Sequence, residues 1–200
     1  MRDRVWTIVY MVIITAVATG FMTGVKVLVQ DRIRTNEGLF ESRAELYGLG
    51  VISLTEKPGP AQVERLHKDR VKRSLEDGGM WLRTYDAETG ELQAIGVEFK
   101  GQGNWGPIRG ILSANPDGEE IVGLYISTHQ ETPGLGGRIT ETAFLSQFKN
   151  RSIPKPDSEG NYRLWEATDA ITGATRTSES MERILNEATR NLKERIAEEH

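Results

Sequence analysis

Apolar residues fall into three regimes along this chain. The first is a continuous run, in which Val5 to Val25 gives 21 residues without a charge. A helix of that length spans roughly 31 Å, close to a bilayer core of about 30 Å, so the run predicts a membrane-crossing helix. The second regime is helical periodicity on a polar background. Asp31 to Leu46 reads as a helix, with Ile33, Leu39, Phe40 and Leu46 among its apolar positions and Gly48 and Gly50 to end it. Pro60 to Glu76 reads as a second, with Pro60 in the first turn and Val63, Leu66, Val71 and Leu75 roughly on one face. His67 lies among charges there and reads as a solvated helix residue. The tail from Ser178 is the clearest helix: Met181, Ile184, Leu185, Ala188, Leu192 and Ile196 share a stripe, opposite a solvated charged face.

The third regime has the shorter period of strands. Trp81 to Tyr85, Leu92 to Phe99, Ile108 to Ser113 and Ile121 to Ser127 are separated by the turn signals Ala87-Glu-Thr-Gly90 and Asn115-Pro-Asp-Gly118. Short connections favour antiparallel neighbours. Thr140 to Phe148 reads as a short helix and Tyr162 to Glu166 as a further strand. The expected fold class is α+β: an N-terminal transmembrane helix, then one domain with a twisted antiparallel sheet flanked by helices. The expected division is an anchor over 1–30, a helical connector packing on the domain over 31–80, and the domain proper over 81–200.

Charge and composition sharpen that division. Up to Thr35 there are five basic and two acidic residues, net +3; the whole chain is −4, so the rest carries −7. An acidic domain is a poor nucleic-acid binder and has no reason to lie flat on anionic lipid. The basic flanks of the apolar run, Arg2 and Arg4 before it and Lys26, Arg32 and Arg34 after it, are nearly balanced and leave orientation open. Ala16-Val17-Ala18 fits a signal-peptide cleavage site, but the apolar run continues well past it, which favours an uncleaved anchor. Cysteine is absent, which excludes disulfides, thiolate catalysis, iron–sulfur ligation and c-type haem attachment in this chain.

The candidate chemistry is concentrated in Asp169-Ala-Ile-Thr-Gly-Ala-Thr175, continuing Arg176-Thr177-Ser178. Hydroxyls, one carboxylate and two very small residues precede a helix, where free N–H groups and the dipole favour an anion. The same residues serve equally as a loop and N-cap. Two other segments join them. His129-Gln-Glu131 leads into Thr132-Pro-Gly-Leu-Gly136, where Pro133-Gly134 signals a turn and Gly136-Gly137 admits close backbone approach. Gly101-Gln-Gly-Asn-Trp-Gly106 precedes the apolar run Ile108 to Leu112, with Trp105 a core or rim aromatic.

In order and spacing these segments resemble the FMN-carrying subunits of Na+-translocating NADH:quinone reductase and of Rnf complexes. The first resembles their flavinylation motif (Asp, two variable residues, Ser or Thr, Gly, Ala, Thr). Glu131 to Gly136 matches their Glu-Thr-Pro-Gly-Leu-Gly loop fully. The chain departs from the family at Thr128, where Glu is frequent, and at Arg176, where an aliphatic is frequent. The resemblance implies FMN joined covalently through its phosphate to Thr175, delivered by a flavin transferase that recognises Asp169. It implies that Thr172, Gly173, Ala174, Thr177 and Ser178 line the phosphate side. His129, Glu131, Thr132, Pro133, Gly134, Leu135 and Gly136 then lie beside the flavin. It further implies no metal site and no catalytic residue: the chain is an electron carrier serving other membrane subunits of an ion-translocating redox complex. The location implied is a bacterial or archaeal plasma membrane, single-pass, with the domain on the outer, periplasmic face.

Two other function classes remain in view. A membrane-tethered flavin-binding or assembly module without a redox role would have the same anchor, acidic domain and loops. A Ser or Thr hydrolase fits less well: of three histidines only His129 lies near a suggestive loop, and there is no Gly-x-Ser-x-Gly elbow.

Overall fold

The computed structural model describes residues 2–76, 78–165 and 168–199. The chain forms two compact units, Met1–Phe40 and Glu41–His200. Helix α1 runs over Arg2–Gly48. Within the first unit its segment Arg4–Gln30 is long and apolar enough to cross a membrane, and none of it is buried.

In the second unit α1 ends where the glycines predict. Gly50 has φ +67°, its N–H donates to Tyr47 O, and Val51 N–H reaches back to Leu46 O at 2.9 Å. That pair of bonds satisfies carbonyls the helix end leaves open. Helix α2 (Pro60–Arg70) follows, with Gly59 as N-cap and Pro60 in the first turn. Then come β1 (Val71–Glu76), β2 (Gly79–Tyr85), β3 (Leu92–Gln102), β4 (Pro107–Ala114) and β5 (Glu120–Thr128). A 3-10 turn (Gly136–Thr140), α3 (Thr142–Leu145), β6 (Arg151–Ser152) and α4 (Thr175–Glu199) complete the order. The six strands form one antiparallel sheet in sequence order, each paired with the next.

Helix α4 covers one face of the sheet. Val97, Phe99, Leu112, Leu124 and Ile126 meet its buried stripe of Met181, Ile184, Leu185, Ala188, Leu192 and Ile196. It crosses β3 so closely that a Cβ on Gly101 would collide with Ile184. Residues 44–49 cover the other face: Ser113 Oγ donates to Gly48 O at 2.7 Å, and Leu46 and Leu49 are fully buried.

Four sequence expectations change. Residues 71–76 extend the second helix on paper but form strand β1, because a ladder with β2 runs from Val71↔Thr84 to Glu76↔Gly79. The signal was Asp77-Gly78, a tight-hairpin dipeptide; Gly78 has φ +77°. Thr140 to Phe148 is not one helix: Glu141, with ψ 141°, breaks it into the 3-10 turn and the single turn α3. Residues 162–165 form no strand, and Glu166 lies outside the described residues. Arg163 has φ +43°, held there by its N–H to Asn186 Oδ1 and its guanidinium to Asp157. Finally, His67 is not merely solvated: its Nε2 lies 2.7 Å from the buried Glu45 carboxylate, which also pairs with Arg73.

Candidate functional site

The three segments singled out in the sequence meet at the start of α4. At their centre is Glu131, 3% exposed. Its Oε1 accepts the Trp105 N–H at 3.1 Å, and its Oε2 accepts the Thr177 hydroxyl at 2.6 Å. One carboxylate thus ties the β3–β4 turn, the loop after β5 and the first turn of α4. A buried carboxylate is tolerable only with such donors. The packing around it leaves no space: a Cβ on Gly103 or Gly136 would strike the Glu131 carboxylate.

The loop after β5 is a built turn. Leu135 N–H donates to Thr132 O at 3.2 Å, with Pro133 and Gly134 (φ +75°) between them, the pattern of a type II turn. Glu131 N–H donates to His129 Nδ1 at 3.1 Å. Thr132, Pro133, Gly134 and Leu135 are exposed; Gly136 is buried. A Cβ on Gly173 would lie 3.4 Å from Leu135, so this loop touches the threonine motif directly.

The threonine motif alternates anchors with presented groups. Ile171 and Ala174 are buried in the core, while Asp169, Thr172, Gly173 and Thr175 are exposed. Gly173 has φ +78°, and Ala174 N–H closes the turn onto Ile171 O at 3.0 Å. Asp169 N–H is held by Gln147 Oε1 at 2.8 Å. Helix α4 begins three residues earlier than the sequence pattern suggests, at Thr175, so that hydroxyl sits on the first helical residue.

This helix start is electrostatically open to an anion. Its first turn holds no acidic residue. The residue before it is Ala174, with no oxygen to cap the free N–H groups. Thr177 is buried and commits its hydroxyl to Glu131. Ser178 Oγ is buried without a partner. An orphaned hydroxyl and an uncapped helix are what a phosphate at this position would satisfy.

Of the residues that hold the segments together, the sequence pattern marked Gly103 and Trp105 through the Gly-x-Gly-x-Trp string and missed the Gln147 side chain. Trp105 itself is a rim residue, 67% exposed, and Leu135 is also exposed. Trp165 packs inward instead, against Phe144 and Phe148 at ring distances of 5.6 and 6.4 Å. His129 Nδ1 accepts the Glu131 N–H, and among the described residues no hydroxyl is hydrogen-bonded to its ring.

Residues 103–190 match the FMN-binding domain family. The chain is 29% identical over 99 residues to a subunit of the Na+-translocating NADH-quinone reductase of Pasteurella multocida, covering 46% of this chain and 38% of that one. It is 34% identical over 90 residues to the same subunit of the Chlamydia pneumoniae reductase, 44% and 28% of the two chains. It is 31% identical over 98 residues to a subunit of the proton-translocating ferredoxin:NAD+ oxidoreductase complex of Clostridium ljungdahlii, 49% and 51%. The chain thus spans between 28% and 51% of the length of these relatives. Its fold is shared by NqrC of Shewanella oneidensis, with TM-score 0.60 and 19% identity over 77% of this chain and 96% of that one. The corresponding reductase subunit from Parabacteroides distasonis gives TM-score 0.64 and 19% identity over 82% and 96%. Residues 103–190 thus resemble an FMN-binding domain in sequence, and the fold that carries them is that of the solved NADH-quinone reductase subunits.

Proposed function

We propose that this chain is a membrane-anchored electron-transfer subunit that carries FMN in phosphoester linkage to Thr175. The observation that supports it most is the exposed Thr175 hydroxyl on the first residue of an uncapped helix, beside a loop pinned by Glu131. Residues 1–30 are the anchor in this reading, 31–80 the connector and 81–200 the flavin domain, with the domain on the outer face of the membrane.

Attachment requires a flavin transferase that uses FAD. Thr175 Oγ attacks the riboflavin-side phosphorus, the new P–O bond forms, the pyrophosphate bond breaks and AMP leaves. The Oγ proton passes to a base of the transferase. Asp169 and Thr172, exposed on the same motif, are the groups that enzyme reads. Once bound, FMN supplies one- and two-electron redox chemistry. The chain's own residues hold and position it. The α4 N–H groups and Ser178 Oγ face the phosphate, Glu131 keeps the helix start and both loops in register, and Trp105 and Leu135 offer apolar surface to the ring. Covalent attachment on an outer face keeps a cofactor that dissociation would otherwise lose. The neighbouring subunits of a redox complex of the Na+-translocating or Rnf kind deliver and take the electrons. The apolar run Val5 to Val25 carries no charge and offers no ion relay, so in this reading translocation is assigned to those subunits.

The test is intact mass and in-gel flavin fluorescence of the full chain co-expressed with an FMN transferase. One FMN per chain is expected, absent in Thr175→Val. A folded wild-type chain without the added mass would leave a flavin-free assembly role in its place.

A further inference from the structure

Arg176 is exposed on the second residue of α4, next to Thr175. Among the described residues its guanidinium has no ion pair or hydrogen bond, although exposed Asp169 and Glu179 lie nearby in sequence. A cation in the first turn of a helix opposes the helix dipole and costs stability. The surrounding first turn adds to the imbalance. It holds no acidic residue, its N-cap position is an alanine, and Ser178 Oγ is buried and unpartnered. Three features that are each unfavourable alone become favourable together when an anion occupies the helix start.

We infer that Arg176 is the charge-pairing residue of the site: its guanidinium takes the remaining negative charge of the phosphodiester that joins flavin to Thr175. This rests on the phosphoester reading above. An arginine suits the role because its planar fork can offer two N–H donors to phosphate oxygens at once. Ser178 Oγ and the free N–H groups of α4 supply the remaining donors from beneath. Arg176 is then a positioning residue. It fixes the phosphate end of the flavin and weakens the fold whenever that phosphate is missing.

The distinguishing signature is a change of sign. The full chain in detergent is prepared with FMN attached and, as Thr175→Val, without it; mass separates the two. In the unloaded chain Arg176→Gln removes an unfavourable cation and raises the melting temperature by about 1–3 °C. In the loaded chain the same change lowers it by a similar amount and shifts the 31P resonance of the phosphodiester. Arg176→Lys restores part of both. Equal shifts of the same sign in loaded and unloaded chains would overturn the inference while leaving the linkage intact. A reversal produced equally by inorganic phosphate on the unloaded chain would also overturn it, making Arg176 a general anion contact. Failure of wild-type chain to gain FMN mass is a different result and sinks the linkage itself.

Discussion

The two faces of the sheet are held by different physics. Under α4 the contact is apolar throughout, from Val97 and Leu112 to Met181 and Leu192, and its tightest point is a glycine against a branched side chain. Under residues 44–49 the apolar contacts of Leu46, Leu49, Leu82 and Ile111 surround a buried charge. Glu45 is shared there by Arg73, at 2.5 Å, and His67. Tyr47 stacks on Tyr125 with ring centroids 5.1 Å apart. One face answers to volume, the other to charge. The face that answers to volume is also the one whose helix starts at the threonine motif, so rigidity there sets the position of Thr175.

The largest effect expected from this contrast is on the charged face. Glu45→Ala leaves Arg73 and His67 without their shared carboxylate and is expected to cost about 3 kcal/mol by denaturant unfolding. A loss below about 1 kcal/mol would mean that solvent reaches the cluster and that the two faces do not differ. Next is Gly101→Val, which forces α4 away from β3 and is expected to cost about 2 kcal/mol. Ile184→Ala in the same chain should recover part of that loss, because the clash is with Ile184 itself. Strict additivity of the two would show that the tight approach is not the controlling contact. Neither rescue nor loss of this kind is expected from volume changes at Glu45.

The smallest effect is a pH dependence on the charged face. Partial desolvation, followed by the nearby Glu45 charge, pushes the carboxyl of Glu98, an exposed residue, above its ordinary value. The folded chain therefore holds a proton that the unfolded chain has already released. Stability from this group is full below the ordinary carboxylate range and declines as pH rises through the raised folded value. Glu98→Gln should flatten that decline and leave the stability at low pH unchanged. A profile identical to wild type would mean that Glu98 is fully hydrated.

Much of the fold was legible because it rests on local periodicity. The 21-residue uncharged run, four of the strands and the stripe of α4 all stand out within short windows. The exceptions have specific causes. Val71-Lys-Arg-Ser-Leu-Glu76 continues a helical pattern, and only a hairpin partner turns it into β1. Residues 162–165 look like a strand, yet Arg163 adopts a left-handed backbone for the sake of Asn186 and Asp157. β6 is two residues long, too short to leave a pattern.

The site divides in the same way. The chemistry-bearing strings were readable from Asp169 to Ser178 and from His129 to Gly136, because special residue types stand close together in each. Within them the sequence determined which hydroxyls exist, where the chain must turn at Pro133-Gly134, and that a helix follows. Only the tertiary structure decided that Thr175 is presented while Thr177, two residues on, is buried. The reason is Glu131, 46 positions away from Thr177 in the chain. Burying that carboxylate demands donors, and the fold supplies one from α4 and another from the turn at Trp105. A requirement of that kind is met in space, between segments whose separation along the chain carries no trace of it.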